Sequence, residues 1–172
     1  PADINGSDWD CTLEPLPGGY VALRLGFRQI KGLKEAEMQT LTDVRDSRGF
    51  QSIDDLWRRT DLSKAALERL ARADAFTSLD LDRRQAMWAV KGLDDTSLPL
   101  FQNLSDPRQE PSVTLPSIPL GEHVADDYRA LALSLKEHPL ALLRDELSKR
   151  RYRTSDCLSV LPHGRRVRVA GL

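Results

Sequence analysis

The sequence predicts a mainly α chain: a tandem helix-hairpin-helix domain, a Pro-rich linker, two further C-terminal helices and a terminal strand. Three observations lead there. Residues 23–45 read as a short apolar helical turn, a tight bend at Ile30-Lys31-Gly32-Leu33-Lys34, and a second helix on which Met38, Leu41 and Val44 recur every third residue. Residues 62–91 repeat that outline of helix, bend and helix. Five of the ten prolines then fall within residues 93–120, where helical periodicity ends.

Taken in order, residues 1–22 hold Pro15, Pro17, Gly18 and Gly19 and read as an extended segment or weak hairpin, with Trp9 anchoring it to the core. In the first bend, Gly32 lets the backbone turn tightly and approach another molecule. The helix that follows begins with unpaired N–H groups, which suit a phosphate. Such a module holds a nucleic-acid backbone without reading bases; an αα-hairpin whose Gly only closes a turn has the same pattern. Lys31, Gly32, Leu33 and Lys34, with nearby Arg28 and Arg45, are the candidate phosphate contacts. Ser47-Arg48-Gly49-Phe50 stops the helix, and Ser52-Ile53-Asp54-Asp55 resembles a capping box that opens a short helix through Leu56 and Trp57. Asp61-Leu62-Ser63 begins the next, with Leu62, Ala66, Leu70 and Ala73 on one face and a bend at Ala73-Asp74-Ala75-Phe76. Asp82 with Gln85 caps a helix that runs through Ala86, Met87 and Val90 and stops at Gly92. Trp57, Phe76, Met87 and Trp88 are expected in a core that the two modules share.

The linker contains one apolar island, Ser97-Leu98-Pro99-Leu100-Phe101. It reads either as a segment tucked onto the helical unit or as a short peptide presented to a partner pocket. Beyond it, Val124, Tyr128, Leu131 and Leu135 form one helical stripe. His138 before Pro139 interrupts the stripe, with His138 as a cap, and Leu140, Leu143 and Leu147 continue in a final helix. Lys149, Arg150, Arg151 and Arg153 load its end and complement the helix dipole. Val167 and Val169 alternate with Arg166 and Arg168 in the period of a strand. A lone terminal strand cannot pair itself, so a following β domain and a larger parent chain are expected.

The net charge of −1 hides strong segregation. Residues 24–72 carry eleven bases and eight acids, residues 93–127 one base and seven acids, and residues 128–172 ten bases and four acids. Two basic segments are thus separated by an acidic one, the pattern of a phosphate-facing surface set off from regions that avoid it. No apolar run approaches a membrane span and no charged-then-apolar leader opens the chain. Cys11 and Cys157 fit no metal-ligand spacing and read as free thiols of a cytoplasmic protein. His123, His138 and His163 show no mutual helical spacing, and the neighbours Asp126 and Asp127 point apart on a helix. With no P-loop, nucleophile elbow or zinc signature, the residues present no active site.

Several stretches together carry a family resemblance. Pro1-Ala2-Asp3-Ile4-Asn5, Ser7-Asp8-Trp9-Asp10-Cys11-Thr12-Leu13-Glu14 and Leu25-Gly26-Phe27-Arg28-Gln29-Ile30-Lys31-Gly32-Leu33 resemble bacterial C-family DNA polymerases of the alpha-subunit (DnaE) type. Asp54-Asp55-Leu56-Trp57-Arg58-Arg59, Ala65-Ala66-Leu67-Glu68-Arg69-Leu70, Asp82-Arg83-Arg84-Gln85-Ala86, Pro119-Leu120-Gly121-Glu122-His123-Val124 and Ser134-Leu135-Lys136-Glu137-His138-Pro139-Leu140 extend it along nearly the whole chain. Within that family the match is to the error-prone, damage-tolerant, ImuC-like branch. The resemblance implies that residues 1–22 end the fingers region and that 23–92 are a tandem helix-hairpin-helix domain holding duplex primer-template DNA. Residues 93–120 would then be an acidic linker, 121–163 a helical connector, and 164–172 the first strand of a truncated OB domain. The catalytic acids, and the Mg²⁺ they bind, would belong to upstream parts of the parent nucleotidyltransferase; no cofactor is expected in this chain.

Two positions depart from the family's pattern. Lys34 stands at the second Gly of the usual Gly-apolar-Gly bend, where its N–H and ammonium still suit a phosphate. Asp74 stands at the expected Gly of the second bend, which assigns that bend a structural role. The island with Leu98, Leu100 and Phe101 falls where related replicative polymerases carry a sliding-clamp peptide, with Ser97 replacing the leading Gln. Two functions follow: a non-catalytic grip on duplex DNA, or a module recruiting the clamp or accessory damage-tolerance proteins.

Overall fold

The computed structural model describes residues 1–45, 47–93 and 116–171, and the chain is mainly helical. An antiparallel pair opens it: β1 (Thr12–Pro15) and β2 (Val21–Arg24), with Thr12 opposite Arg24 and Pro15 opposite Val21. The apolar helical turn expected before the first bend is instead strand β2 followed by a single 3-10 turn at Phe27–Gln29. The cause is Gly26, whose backbone lies against Trp9 and Asp10 so closely that a Cβ there would meet the Trp9 carbonyl oxygen at 2.4 Å. Phe27 and Arg28 donate their N–H groups across this contact to the carbonyls of Asp8 and Trp9, leaving no room for a longer helix.

Five helices build the body: α1 (Glu35–Val44), α2 (Ile53–Thr60), α3 (Lys64–Arg72), α4 (Arg83–Gly92) and α5 (Leu120–Leu131). Their starts follow local chemistry. Ser52 accepts from the Asp55 N–H and Ser63 from the Ala66 N–H. Asp82 and Gln85 form a full reciprocal capping box. The Asp55 carboxylate reaches one residue further than in that box, accepting from the Gln51 N–H at 3.1 Å.

Phe27, Met38, Leu41, Phe50, Leu56, Leu70, Phe76 and Val90 meet in one core, each at most 1% exposed. Burying each large side chain contributes about 1.5–3 kcal/mol. Ala2 and Ile4 enter the same core from the N-terminal segment, which thereby becomes part of the helical unit. Phe76 is in the core, and Trp57 and Met87 pack partly buried against it. Trp88 does not: it is 56% exposed. At about 100° per residue, Trp88 lies some 200° from both Ala86 and Val90, the two apolar positions that α4 buries.

The C-terminal part departs further from the pattern. Helix α5 ends at Leu131 because Ala132 turns left-handed (φ 62°), so Leu135 is off the stripe and 59% exposed. The final helix is two short ones, α6 (Pro139–Leu142) and α7 (Arg144–Lys149), broken where Leu143 leaves helical geometry. His138 caps α6, its Nδ1 accepting from the Leu140 N–H at 3.2 Å. The terminal strand is not orphaned: β4 (Arg168–Val169) runs parallel to β3 (Tyr152–Arg153) of the same chain. Leu98, Leu100 and Phe101 lie outside the described residues. Among the described residues no helix is long and apolar enough to cross a membrane.

Candidate nucleic-acid interface

The first bend is held from below. Ile30 is buried, Leu33 packs partly buried against the core, and the Ile30 N–H closes onto the Phe27 carbonyl at 2.9 Å. Gly32 has φ +83°, a conformation that favours glycine. Helix α1 begins at Lys34 without a side-chain cap, and Glu35 and Glu37 sit in its first turn. Those carboxylates already complement the helix N-terminus, which makes this end less suited to a phosphate than its position in the bend implies.

The candidate contacts separate into distinct roles. Arg45 reaches the carbonyls of Ile4 (3.2 Å) and Ser7 (2.6 Å) and the Asp8 carboxylate (2.7 Å), so it fastens the N-terminal segment. Arg28 pairs with Asp10 at 2.5 Å, and that hydrogen bond holds its guanidinium above the ordinary pKa. Lys31 gives its backbone N–H to Ala130 (2.9 Å) and its ammonium to the Tyr128 carbonyl (3.2 Å). Both carbonyls lie in the last turn of α5, where the helix dipole favours a cation, and that of Tyr128 also accepts from the Ala132 N–H. The bend therefore docks a helix with a group that the sequence reading offered to phosphate. Lys34 is exposed, and no ion-pair partner for it exists among the described residues.

The space above Gly32 holds Arg69 of α3. A Cβ on Gly32 would lie 2.9 Å from Arg69 Nε. Arg69 is half-buried and has no carboxylate partner among the described residues. It faces a cleft of about 530 Å³ between the first bend, α3, α4 and α5, which Lys31, Arg72, Arg83, Arg84 and Arg129 also line. Glu122 and Asp126 are the acids there, paired with Arg84 at 3.5 Å and with Arg129 at 2.6 Å. Arg72 reaches Glu68 only at 3.6 Å and is otherwise exposed. The cleft is thus cationic in excess. Sequence reasoning missed Arg69 and Arg72, although their three-residue spacing on α3 puts them on one face; what it lacked was the approach of that face to Gly32.

The second bend is closed by the chain itself. Asp74 takes the left-handed conformation (φ 62°) that a glycine would ordinarily supply, and its carboxylate accepts from the Lys136 ammonium at 2.8 Å. Lys136 also lies 3.5 Å from Asp127. Arg83, 4% exposed, binds Asp127 and lies 3.6 Å from Asp126, bridging α4 to α5. Asp126 and Asp127 are thereby neutralised by guanidinium and do not fit a magnesium ion. No group of three or more metal-ligating side chains occurs among the described residues.

A family model described as a helix-hairpin-helix motif matches residues 1–86. Error-prone DNA polymerase 1 of Rhizobium meliloti (strain 1021) is 47% identical over 197 residues, covering 100% of this chain and 18% of the relative. Error-prone DNA polymerase of Sinorhizobium medicae (strain WSM419) is 46% identical with the same coverage. That of Brucella abortus biovar 1 (strain 9-941) is 44% identical over 175 residues, 100% of this chain and 16% of the relative. The chain therefore spans less than a fifth of the length of these curated relatives. With that motif matched over half its length, the chain belongs to the helix-hairpin-helix family.

Proposed function

We propose that this chain is a non-catalytic, DNA-binding portion of an error-prone DNA polymerase used in damage tolerance, of the alpha-subunit (DnaE) type and its ImuC-like branch. It grips the backbone of duplex DNA without reading sequence. The observation that carries this reading is the cationic cleft beside Gly32, where Arg69 has no carboxylate partner among the described residues and Lys34 stands exposed at the rim of the bend. The names and identities of the relatives support an error-prone DNA polymerase as the parent; translesion synthesis in the cytoplasm is the activity this reading assigns to it.

In this reading phosphates are held by side chains more than by backbone amides. The Lys31 N–H is engaged by α5, and the Leu33 N–H faces the Ile30 carbonyl at 3.4 Å. Guanidinium and ammonium groups at Arg69, Arg72 and Lys34 supply the attraction instead, which makes affinity steeply salt-dependent at about 0.9 log unit per phosphate neutralised. Chemistry is left to residues outside this chain, and no step runs through a metal here.

Fluorescence anisotropy of the chain with a labelled duplex, titrated across salt, tests the reading. Lys34→Glu with Arg69→Glu should weaken binding at least tenfold at low salt and reduce the salt slope by about 2. Lys31→Glu is a poorer probe, because it also detaches α5. Absence of duplex binding at low salt would refute the reading. A sliding clamp or accessory protein enters only through Leu98, Leu100 and Phe101, on sequence alone; Leu100→Ala with Phe101→Ala should then abolish clamp capture and spare DNA binding.

A further inference from the structure

Pairing β3 with β4 gathers arginines that are far apart in sequence. Tyr152 lies opposite Arg168 and Arg153 opposite Val169. Gly164, at φ +81°, reverses the chain, and the Arg165 N–H closes the turn onto the Pro162 carbonyl at 3.3 Å. Arg151, Arg153, Arg165, Arg166 and Arg168 thereby line a concavity of about 380 Å³. A second, of about 450 Å³, shares Arg151, Arg153 and Arg165 with it.

These five guanidiniums differ from most others of the described residues. Ten arginines elsewhere in the described residues carry a carboxylate partner. None of the five does, and none makes a side-chain hydrogen bond among the described residues. Arg150, directly before them, is paired with Glu146 at 2.8 Å, so the unpaired set begins sharply at Arg151. Arg151 itself is left-handed (φ 63°) where a helix end ordinarily places glycine. Complementing the α7 dipole explains Lys149 and Arg150 but not charges on the returning strand, which lie outside that last turn.

Like charges gathered without acids repel one another, and an anion relieves that repulsion. Guanidinium groups match phosphate oxygens bidentately, and two adjoining concavities suit a chain of phosphates better than a single small anion. Tyr152, the aromatic residue lining the second concavity, is half-buried, so its ring offers a base only part of its surface. We propose that Arg151, Arg153, Arg165, Arg166 and Arg168 form a second phosphodiester-binding site, recognising nucleic-acid backbone without sequence preference. It shares no residue with the cleft beside Gly32 and stands independently of that reading.

The test is anisotropy of the chain with labelled single-stranded and duplex oligonucleotides across salt. It compares Arg153→Glu/Arg165→Glu/Arg168→Glu with Lys34→Glu/Arg69→Glu. The triple variant should lower the salt slope by about 2–3, from roughly 0.9 per phosphate on duplex or 0.7 on single strand, and the arm showing the larger loss identifies the strand form bound. That loss should persist in the Lys34/Arg69 background. If only the triple variant loses binding, the second site stands and the hairpin reading fails. An unchanged affinity and slope in the triple variant overturns the proposal, as does binding of polyglutamate in place of both oligonucleotides. In the unsubstituted chain, bound oligonucleotide should protect Arg165, Arg166 and Arg168 from phenylglyoxal, and no protection would also overturn it.

Discussion

Two glycines show how differently one residue type can act. At Gly26 a Cβ would strike the Trp9 carbonyl and the Asp10 backbone at 2.4–2.5 Å, and backbone on both sides cannot yield. Gly26→Ala should cost about 3 kcal/mol in urea unfolding and separate the N-terminal segment from the first bend. At Gly32 the Cβ would meet the movable end of Arg69, so the cost is chiefly the left-handed backbone, about 1 kcal/mol. Gly32→Ala should weaken duplex binding more than this loss of stability accounts for, because it displaces the Arg69 guanidinium. The glycine of the bend was legible as a turn former. That its empty side holds an arginine from α3 was not, since Arg69 is 37 positions further along the chain.

At the scale of elements, α4 and α5 are joined by the buried pair of Arg83 and Asp127, with Ser134 donating to the second Asp127 oxygen at 2.8 Å. Arg83→Met leaves that carboxylate without its guanidinium and should cost about 3–5 kcal/mol, while Arg83→Met with Asp127→Leu should recover most of it. Urea unfolding measures both, and limited proteolysis before α5 should be faster only in the single variant. The β1–β2 pair answers to pH. The Arg24 hydrogen bond to Glu14, at 2.7 Å, holds that carboxyl below its ordinary value of 4.5. A depressed folded pKa gives stability that is present above the ordinary value and lost as pH falls through the lower one. Arg24→Met should therefore flatten the acid limb of a Tm–pH profile below about pH 4.5 and leave its neutral-to-basic limb unchanged in shape. Helix starts at Ser52, Ser63 and Asp82 were readable because a cap and its N–H lie three residues apart. The early end of α5 was not, because Ala132 has no sequence mark of a left-handed residue.

Across the whole molecule, the N-terminal segment laces the two modules together. The Asn5 side chain accepts from the Phe50 N–H at 2.7 Å and donates to the Phe50 carbonyl and to Ser78, each at 3.0 Å. The Ile4 N–H reaches Ala75 in the second bend, and Asp3 accepts from the Ser78 N–H. Asn5→Ala should cost about 1–3 kcal/mol and expose the Phe50 amide to hydrogen exchange, with unfolding still a single transition. By itself the sequence determined the mainly helical class, the repeated bends, the caps and the apolar faces of α1 and α3. These depend on periodicity and on contacts a few residues apart, which local pattern records. Only the tertiary structure decided which cations are engaged and which are open. Arg45 closes on residues 37 to 41 positions away and Lys31 on one 97 positions away. A charge shows its sign in sequence, but its partner is fixed only when distant segments pack, and packing is what turned two candidate phosphate ligands into struts and uncovered Arg69 in their place.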